Sequence, residues 1–377
     1  MKEKKKVLFL IESLSGGGAE KVLVTLLNAI DLDKFDVTLC SMVDVGVNKK
    51  DLPLGIRYTS ILKPANSKIG EFFYRLKYKL VYSLLPLSWV YRLFLPQSND
   101  VEVAFVEGYS TKLISHSTNC RAKKYAWVHT DLINNHWITM VYKSKTEELE
   151  SYSKFDGIVG VSDVVTQSVK SLYGLQNAVT LYNPIDSDYI MERSAEQYSK
   201  PSQSGISLVT TGRLVPQKGY DRLLRVVRRL KADGVDFNLL ILGEGPERHK
   251  LQKLIEENDL GGAVAMPGFL SNPYAAMKAC DLFVCSSVAE GYSTAVTEAL
   301  ILGLPVITTR CSGMSELLGD NEFGVVVDND EEALYKGLKE LLLTPEKLVA
   351  YRQKASQRGE TFTLSNLMPP IESLLSQ

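Results

Sequence analysis

Two pairs of side chains carry the most chemistry in this sequence, Arg213 with Lys218 and Glu290 with Glu298. The cations lie five positions apart in Thr211-Gly212-Arg213-Leu214-Val215-Pro216-Gln217-Lys218-Gly219. A guanidinium can fork onto two oxygens of one phosphate, and an ammonium can add a point charge to the next. Cations so placed suit a diphosphate whose negative charge grows as it departs. Singly, each is as well explained as a solvated surface charge; their shared loop favours anion binding. The glutamates bracket seven residues in Glu290-Gly291-Tyr292-Ser293-Thr294-Ala295-Val296-Thr297-Glu298. Gly291, Tyr292 and Ser293 can present backbone N–H groups at the start of a helix, a second anion-binding turn. Glu298 then falls among Ala295, Val296, Ala299 and Leu300, where a carboxylate is costly unless ribose hydroxyls or buried donors pair it. Ordinary helix charge patterning is the alternative for Glu298.

A third loop, Ser15-Gly16-Gly17-Gly18-Ala19-Glu20, follows the first apolar run and opens a helix. Its glycines would let the backbone approach a phosphate at the helix N-terminus, although a flexible tight turn explains them equally well. It is no dinucleotide fingerprint, because Lys21 stands where Gly or Ala is needed, and it lacks the Gly-Lys-Ser/Thr ending of a P-loop. Asp-x-Asp occurs at 31–33, 186–188 and 328–330, each near an element's end where Asp is common for its own hydrogen bonding, so no metal site is read there. The five cysteines (Cys40, Cys120, Cys280, Cys285, Cys311) are scattered and contain no C-x-x-C, as expected of reduced thiols in a cytoplasmic protein.

The elements that must position these groups follow a βα alternation. Short apolar runs at 7–11, 36–42, 101–106, 126–128 and 157–161 read as buried strands, with a helix at 19–30. The pattern restarts with strands at 207–211, 238–242, 264–266, 282–285, 306–309 and 324–327, and helices at 220–233, 246–258, 274–279 and 293–302. Two α/β domains follow, 1–185 and 186–360, each a doubly wound parallel sheet whose ligands sit at the strands' carboxyl ends. The polar stretch 187–205 lacks apolar period and reads as a linker or surface excursion.

The chain has 377 residues, more than one core comfortably holds, with 45% hydrophobic and 23% charged residues, a globular balance. A net charge of -1 argues against nucleic acid as the main partner. The apolar run at 7–11 ends at Glu12 and is too short for a signal core behind the basic start. One segment, 68–96, interleaves Phe72, Phe73, Tyr74, Tyr78, Tyr82, Trp89, Tyr91 and Phe94 with Lys68, Arg75, Lys77, Lys79 and Arg92. That suits a helix lying on an anionic membrane, and equally an amphipathic insertion packed on its own domain. Its uncharged run, 80–91, is shorter than the roughly 20 residues that span a bilayer.

Taken together, Glu290…Glu298 with Gly303-Leu304-Pro305-Val306-Ile307 behind it resembles the E-x7-E signature of retaining glycosyltransferase family 4. The Gly212-Arg213-Leu214…Lys218-Gly219 loop is similar to that family's diphosphate site, and Gly16, Gly17 and Gly18 to its amino-terminal glycine loop. Leu242-Gly243-Glu244-Gly245-Pro246, Pro267-Gly268-Phe269 and Tyr182-Asn183-Pro184-Ile185-Asp186 match further parts of its pattern, while 45–99 matches weakly. The resemblance implies the GT-B fold, α/β, with two Rossmann-like domains facing across a cleft: 1–185 on the acceptor side, with 68–96 as its membrane-facing or acceptor-adapting segment, and 186–360 binding the nucleotide sugar, with a last helix, 361–377, crossing back to the first domain. It implies Arg213 and Lys218 on the donor diphosphate, with Glu298 on the ribose. Glu290 with Gly291, Tyr292 and Ser293 would lie near the transferred sugar and phosphates, Gly243 in the donor site, and the backbone of Phe269 and Leu270 on the base. His129, in Trp127-Val128-His129-Thr130-Asp131, matches a position facing the donor sugar, with Asp131 a weaker candidate.

For such a donor the expected chemistry is front-face transfer with retention, in which the departing diphosphate oxygen helps take the acceptor proton. No metal or cofactor is expected, since cations and helix N-termini neutralise the diphosphate. The expected partners are a nucleotide-sugar donor, UDP-linked, and a glycan or polyprenyl-diphosphate-linked acceptor in surface polysaccharide synthesis. The expected location is cytoplasmic, peripheral on the inner face of the cell membrane. A nucleotide-sugar epimerase and a degenerate sugar-nucleotide-binding scaffold are the competing readings.

Overall fold

The computed structural model describes residues 3–65, 67–199 and 205–377. They form two compact units, Met1–Ile185 with Leu367–Gln377, and Asp186–Asn366.

In the first unit the order is β1 (Lys5–Ile11), α1 (Gly18–Ala29), β2 (Phe35–Val43), β3 (Arg57–Leu62), α2 (Lys68–Lys79), α3 (Leu87–Phe94) and β4 (Val101–Ala104). It continues with α4 (Tyr109–Ile114), β5 (Lys123–Val128), α5 (Lys145–Tyr152), β6 (Gly157–Gly160), α6 (Asp163–Tyr173) and β7 (Ala178–Thr180). The sheet runs β3-β2-β1-β4-β5-β6-β7, and every neighbouring pair is parallel. Val7, Leu8, Phe9, Leu10 and Ile11 are all buried, because a central parallel strand is covered on both faces. Helix α1 lays Val22, Leu23, Leu26 and Leu27 inward at helical spacing.

The second unit holds α7 (Ser187–Ser194), β8 (Ile206–Thr211), α8 (Tyr220–Ala232), β9 (Phe237–Leu242), α9 (Arg248–Glu257), β10 (Val264–Gly268) and α10 (Pro273–Lys278). Then come β11 (Leu282–Cys285), α11 (Thr294–Ile301), β12 (Val306–Thr309), α12 (Met314–Leu318), β13 (Val325–Val327), α13 (Glu331–Leu343) and α14 (Pro345–Gly359). Its parallel sheet is ordered β10-β9-β8-β11-β12-β13 around a core that includes Leu223, Val227, Ile241, Leu282, Ile307 and Leu338. The last helix, α15 (Leu364–Leu375), belongs with the first unit from Leu367 on. There Glu372 accepts from Asp31 N at 3.0 Å and pairs with Lys34 at 3.3 Å, and Lys5 Nζ donates to Ser376 O at 2.7 Å.

In both sheets the strand order reverses beside the first strand, between β1 and β4 and between β8 and β11. Ligands of open parallel sheets bind outside the strands' carboxyl ends at this switch point.

The stretch 187–205 is not simply a linker. Asp186 accepts from Tyr189 N at 2.9 Å and caps α7, which buries Ile190; residues 200–204 lie outside the described residues. The Asp-x-Asp aspartates have local hydrogen-bonding roles. Asp330 caps α13 through Ala333 N at 2.8 Å, and Asp31 accepts from Asp33 N at 2.9 Å.

Candidate functional site

At the second switch point the loop after β8 carries Arg213 and Lys218, and the loop after β11 carries Glu290. The two loops are joined closely. Gly219 ends the first with φ of 62°, and a Cβ there would come 2.3 Å from Ser286 O, so this approach requires glycine. Ser286 Oγ donates to Lys218 O at 2.9 Å, Val288 N to Gln217 O at 2.7 Å, and Gln217 Nε2 to Ala289 O at 2.8 Å.

Arg222, in the first turn of α8, holds the second loop from beneath. Its buried guanidinium donates to Ser286 O at 2.6 Å, Ser287 O at 3.0 Å and Asn329 Oδ1 at 2.8 Å. Asn329 Nδ2 donates to Val288 O at 2.8 Å, and Thr309 Oγ1 to Ser287 O at 2.6 Å. Sequence reasoning missed Arg222. Its signal was a charged residue on the same helical face as Leu223, Val226 and Leu230.

On this platform Lys218 Nζ meets Glu290 Oε1 at 2.6 Å, and Ser287 Oγ donates to the same oxygen at 2.5 Å. The side chains are 23% and 9% exposed, so water screens the pair poorly. Burial alone would lower the pKa of the Lys218 ammonium, but the Glu290 carboxylate outweighs it and leaves the pKa above its usual value. Thr211, Lys218, Ser287, Glu290 and Ser293 line a small hollow here. Arg213 is exposed and has no side-chain hydrogen bond or ion pair among the described residues.

Ser293 caps α11, accepting from Val296 N at 3.4 Å. Tyr292 is buried, and Gly313, with φ of 76°, lies so close to Gly291 that a Cβ would meet Gly291 O at 2.3 Å. Glu298, 4% exposed, accepts from Tyr274 Oη at 3.4 Å. The loop after β9 packs on that after β8, where a Cβ on Gly243 would lie 2.0 Å from Gly212 O and Leu214 N donates to Glu244 O at 2.8 Å. Phe269 is 69% exposed and Leu270 half-buried, directly after β10.

The remaining candidates belong to the first unit. Gly17 is the N-cap of α1 and supplies no side-chain cap, with Gly16 at φ of 96° and Gly18 opening the helix. His129, after β5, donates from Nε2 to Phe105 O at 2.8 Å, and its backbone N donates to Glu107 Oε2 at 2.9 Å. Burial lowers the ring's pKa, with the Glu107 carboxylate opposing, and Nδ1 carries no hydrogen bond among the described residues. Asp131 has turn-forming bonds, accepting from Ile133 N at 3.0 Å and Asn134 Nδ2 at 2.6 Å. Sequence reasoning also missed Glu107, a buried carboxylate that accepts from Trp137 Nε1 at 3.2 Å as well; it follows the β4 apolar run directly.

The basic, aromatic segment divides in two. In α3 Val90 and Tyr91 are buried, whereas α2 buries nothing and exposes Ile69, Phe72, Phe73 and Leu76 among its cations. No described helix is long and apolar enough to cross a membrane.

Residues 192–358 match the family described as glycosyl transferases group 1. Over 366 residues the chain is 31% identical to the N-acetylgalactosamine-N,N'-diacetylbacillosaminyl-diphospho-undecaprenol 4-alpha-N-acetylgalactosaminyltransferase of Campylobacter jejuni, covering 95% of each chain. Among solved structures it is similar to Anabaena HepE in complex with UDP-glucose, with a TM-score of 0.75 at 18% identity over 98% of this chain and 99% of that one. It is also similar to S. aureus TarM in complex with UDP, with a TM-score of 0.73 at 13% identity over 99% and 100%.

Proposed function

The chain belongs to the group 1 glycosyltransferases and has the GT-B fold, and we propose that it is a retaining transferase of the family 4 type. In this reading it moves a hexose or N-acetylhexosamine from a UDP-sugar to a glycan or polyprenyl-diphosphate-linked acceptor, in the assembly of a surface polysaccharide such as a capsule or O-antigen. The Campylobacter relative is named for an acceptor carried on diphospho-undecaprenol, which supports that acceptor class. The observation that carries the donor assignment is the Lys218–Glu290–Ser287 cluster at the switch point of β8 and β11.

A donor diphosphate would replace Glu290 on Lys218, and Arg213 would close on it from the same loop. Glu290, released, would accept from hydroxyls of the transferred sugar, while Glu298 holds the ribose. β10 is two strands from β8, about 10 Å. One nucleotide can therefore have its base at Phe269 and Leu270 and its diphosphate at Lys218. His129 would offer Nδ1 to the donor sugar. As the glycosidic bond breaks, charge gathers on the diphosphate and is met by Lys218, Arg213 and the N-terminus of α11. The acceptor hydroxyl attacks from the same face and passes its proton to the departing diphosphate oxygen, so the anomeric configuration is retained. Those cations carry the charge without a metal ion or other cofactor; the nucleotide sugar is a co-substrate.

We place the protein on the cytoplasmic face of the cell membrane, with α2 lying in the interface. Its exposed apolar residues alternate with Lys68, Arg75, Lys77 and Lys79, which supports attraction to anionic lipid. The test is product analysis with a panel of UDP-sugars ranked first by thermal shift. Release of UDP only with acceptor, and a product of the donor's anomeric configuration, supports the proposal. An isomerised UDP-sugar without UDP release would make the protein an epimerase, and an inverted product would end the retaining assignment.

A further inference from the structure

The switch point of the first sheet holds a group that the donor chemistry leaves unused. Glu12 follows β1 directly and is half-buried. Tyr82 Oη donates to its Oε2 at 3.1 Å. Tyr82 stacks on Tyr78 with ring centroids 4.5 Å apart and packs against Tyr109 at 4.4 Å. The three rings come from separate places: Tyr78 from α2, Tyr109 from the start of α4, and Tyr82 from a π-helical turn, Leu80–Leu84, between α2 and α3. Such turns are rare and concentrate at functional sites. Here the turn is held by Tyr109 Oη donating to Val81 O at 2.7 Å. The cluster thus stands at the carboxyl ends of β1 and β4, the position where a parallel sheet binds ligands.

We propose that Glu12, Tyr78 and Tyr82 form an acceptor-sugar subsite on the first unit, with the Glu12 carboxylate accepting from sugar hydroxyls and the tyrosines contacting the ring. The ligand class follows from the chemistry. A phosphate would be repelled by Glu12, beside which no lysine or arginine is paired among the described residues. A purely apolar ligand would add no donor to the carboxylate beyond Tyr82 Oη. A neutral molecule with many hydroxyls and an apolar face meets both requirements. The titratable groups facing Glu12 are Tyr82 and Tyr109, with Tyr78 behind them. Burial under these rings pushes the Glu12 carboxyl up to about 7, and the Tyr82 hydrogen bond opposes the shift. The accepting form of Glu12 therefore fills in as pH rises through neutrality.

This inference rests on the transferase reading for its word "acceptor", and the test separates the two. Octyl glycosides of glucose, galactose, N-acetylglucosamine and N-acetylgalactosamine are titrated against the full-length protein by saturation-transfer NMR, with UDP binding followed by calorimetry. At least one glycoside should bind, at least tenfold more weakly to Glu12→Gln and a few-fold more weakly to Tyr82→Phe, with UDP affinity unchanged. Wild-type binding should strengthen as pH rises from 6 to 8 and that of Glu12→Gln should stay flat; if Glu12→Gln fails to fold, the wild-type pH curve and Tyr82→Phe decide. Equal glycoside binding by the variants, or saturation of none of the four, overturns the subsite. Loss of UDP binding by the wild type would instead overturn the donor reading.

Discussion

At the switch point of the second sheet, Lys218, Glu290 and Ser287 form a charged cluster on loops tied down by Arg222, Asn329 and Thr309; at that of the first, Glu12 stands among tyrosine rings. The same topology therefore carries two chemically different clusters. The cation and fixed backbone of the second suit an anion whose charge changes during reaction, because preorganised charge needs no rearrangement at that moment. The first offers a carboxylate with no cation paired to it among the described residues, and flat rings, which suit a neutral, hydroxylated molecule. The contrast also explains why the paired site needs tight support: a buried ion pair that loses its geometry leaves an uncompensated charge.

The sharpest way to break this comparison is Lys218→Ala. Transfer should fall by at least 100-fold, on the scale of a lost oxyanion donor at about 3 kcal/mol. A turnover within a few fold of wild type would remove Lys218 from the chemistry. Arg222→Met should act on support rather than on charge. With the Ser286 carbonyl left without a donor, and that of Ser287 still held by Thr309 Oγ1, we expect about 2 kcal/mol of lost stability. Calorimetry should register that as a Tm lower by roughly 4–8 °C, and an unchanged Tm would mean the loop stands without it.

Glu290→Gln sharpens the contrast differently. Freed of its carboxylate, Lys218 should bind UDP alone several-fold more tightly while transfer falls; weaker UDP binding would show that the ion pair does not compete with the diphosphate. For Glu12 the linkage sign is the reverse of an ordinary ion-paired carboxylate. Its folded pKa lies above the unfolded value. The stability it contributes is thus complete below pH 4.5 and is lost as pH rises through about 7. The melting temperature of Glu12→Gln should gain on wild type between pH 5 and pH 8, and parallel curves would deny the raised pKa. The smallest effects concern the surface and the solvent. Neutralising Lys68, Lys77 and Lys79 should weaken binding to anionic vesicles by about 1 kcal/mol per charge at low salt, and EDTA should leave the transfer rate within twofold.

The central strands were readable because burial on both faces makes them continuous apolar runs, as in Val7 through Ile11 and Leu282 through Cys285. β3 escaped notice because it is an edge strand that begins Arg57-Tyr58-Thr59-Ser60, with one face in water, and β7 is only three residues long. Helix α7 was hidden by polarity, since only Ile190 faces inward. In the second unit, Lys218 and Glu290 could be named because each stands in a recognisable local pattern. Arg222 and Glu12 could not, because their partners lie 64 and 70 positions away and no local spacing encodes those contacts. Glu12 read only as the residue that ended an apolar run.

The return of α15 to the first unit has a consequence for how the protein comes into being. Lys5, Asp31 and Lys34 are made early, but Glu372 and Ser376 follow only after all of Asp186–Asn366 has been synthesised. At roughly 5–20 residues per second that interval is on the order of ten to forty seconds. Through it the first unit must wait on the ribosome lacking its last helix, while the second, whose sequence is uninterrupted, can finish first. The first unit is therefore completed only after the second, and a pause within the second unit's message prolongs the exposure of the first.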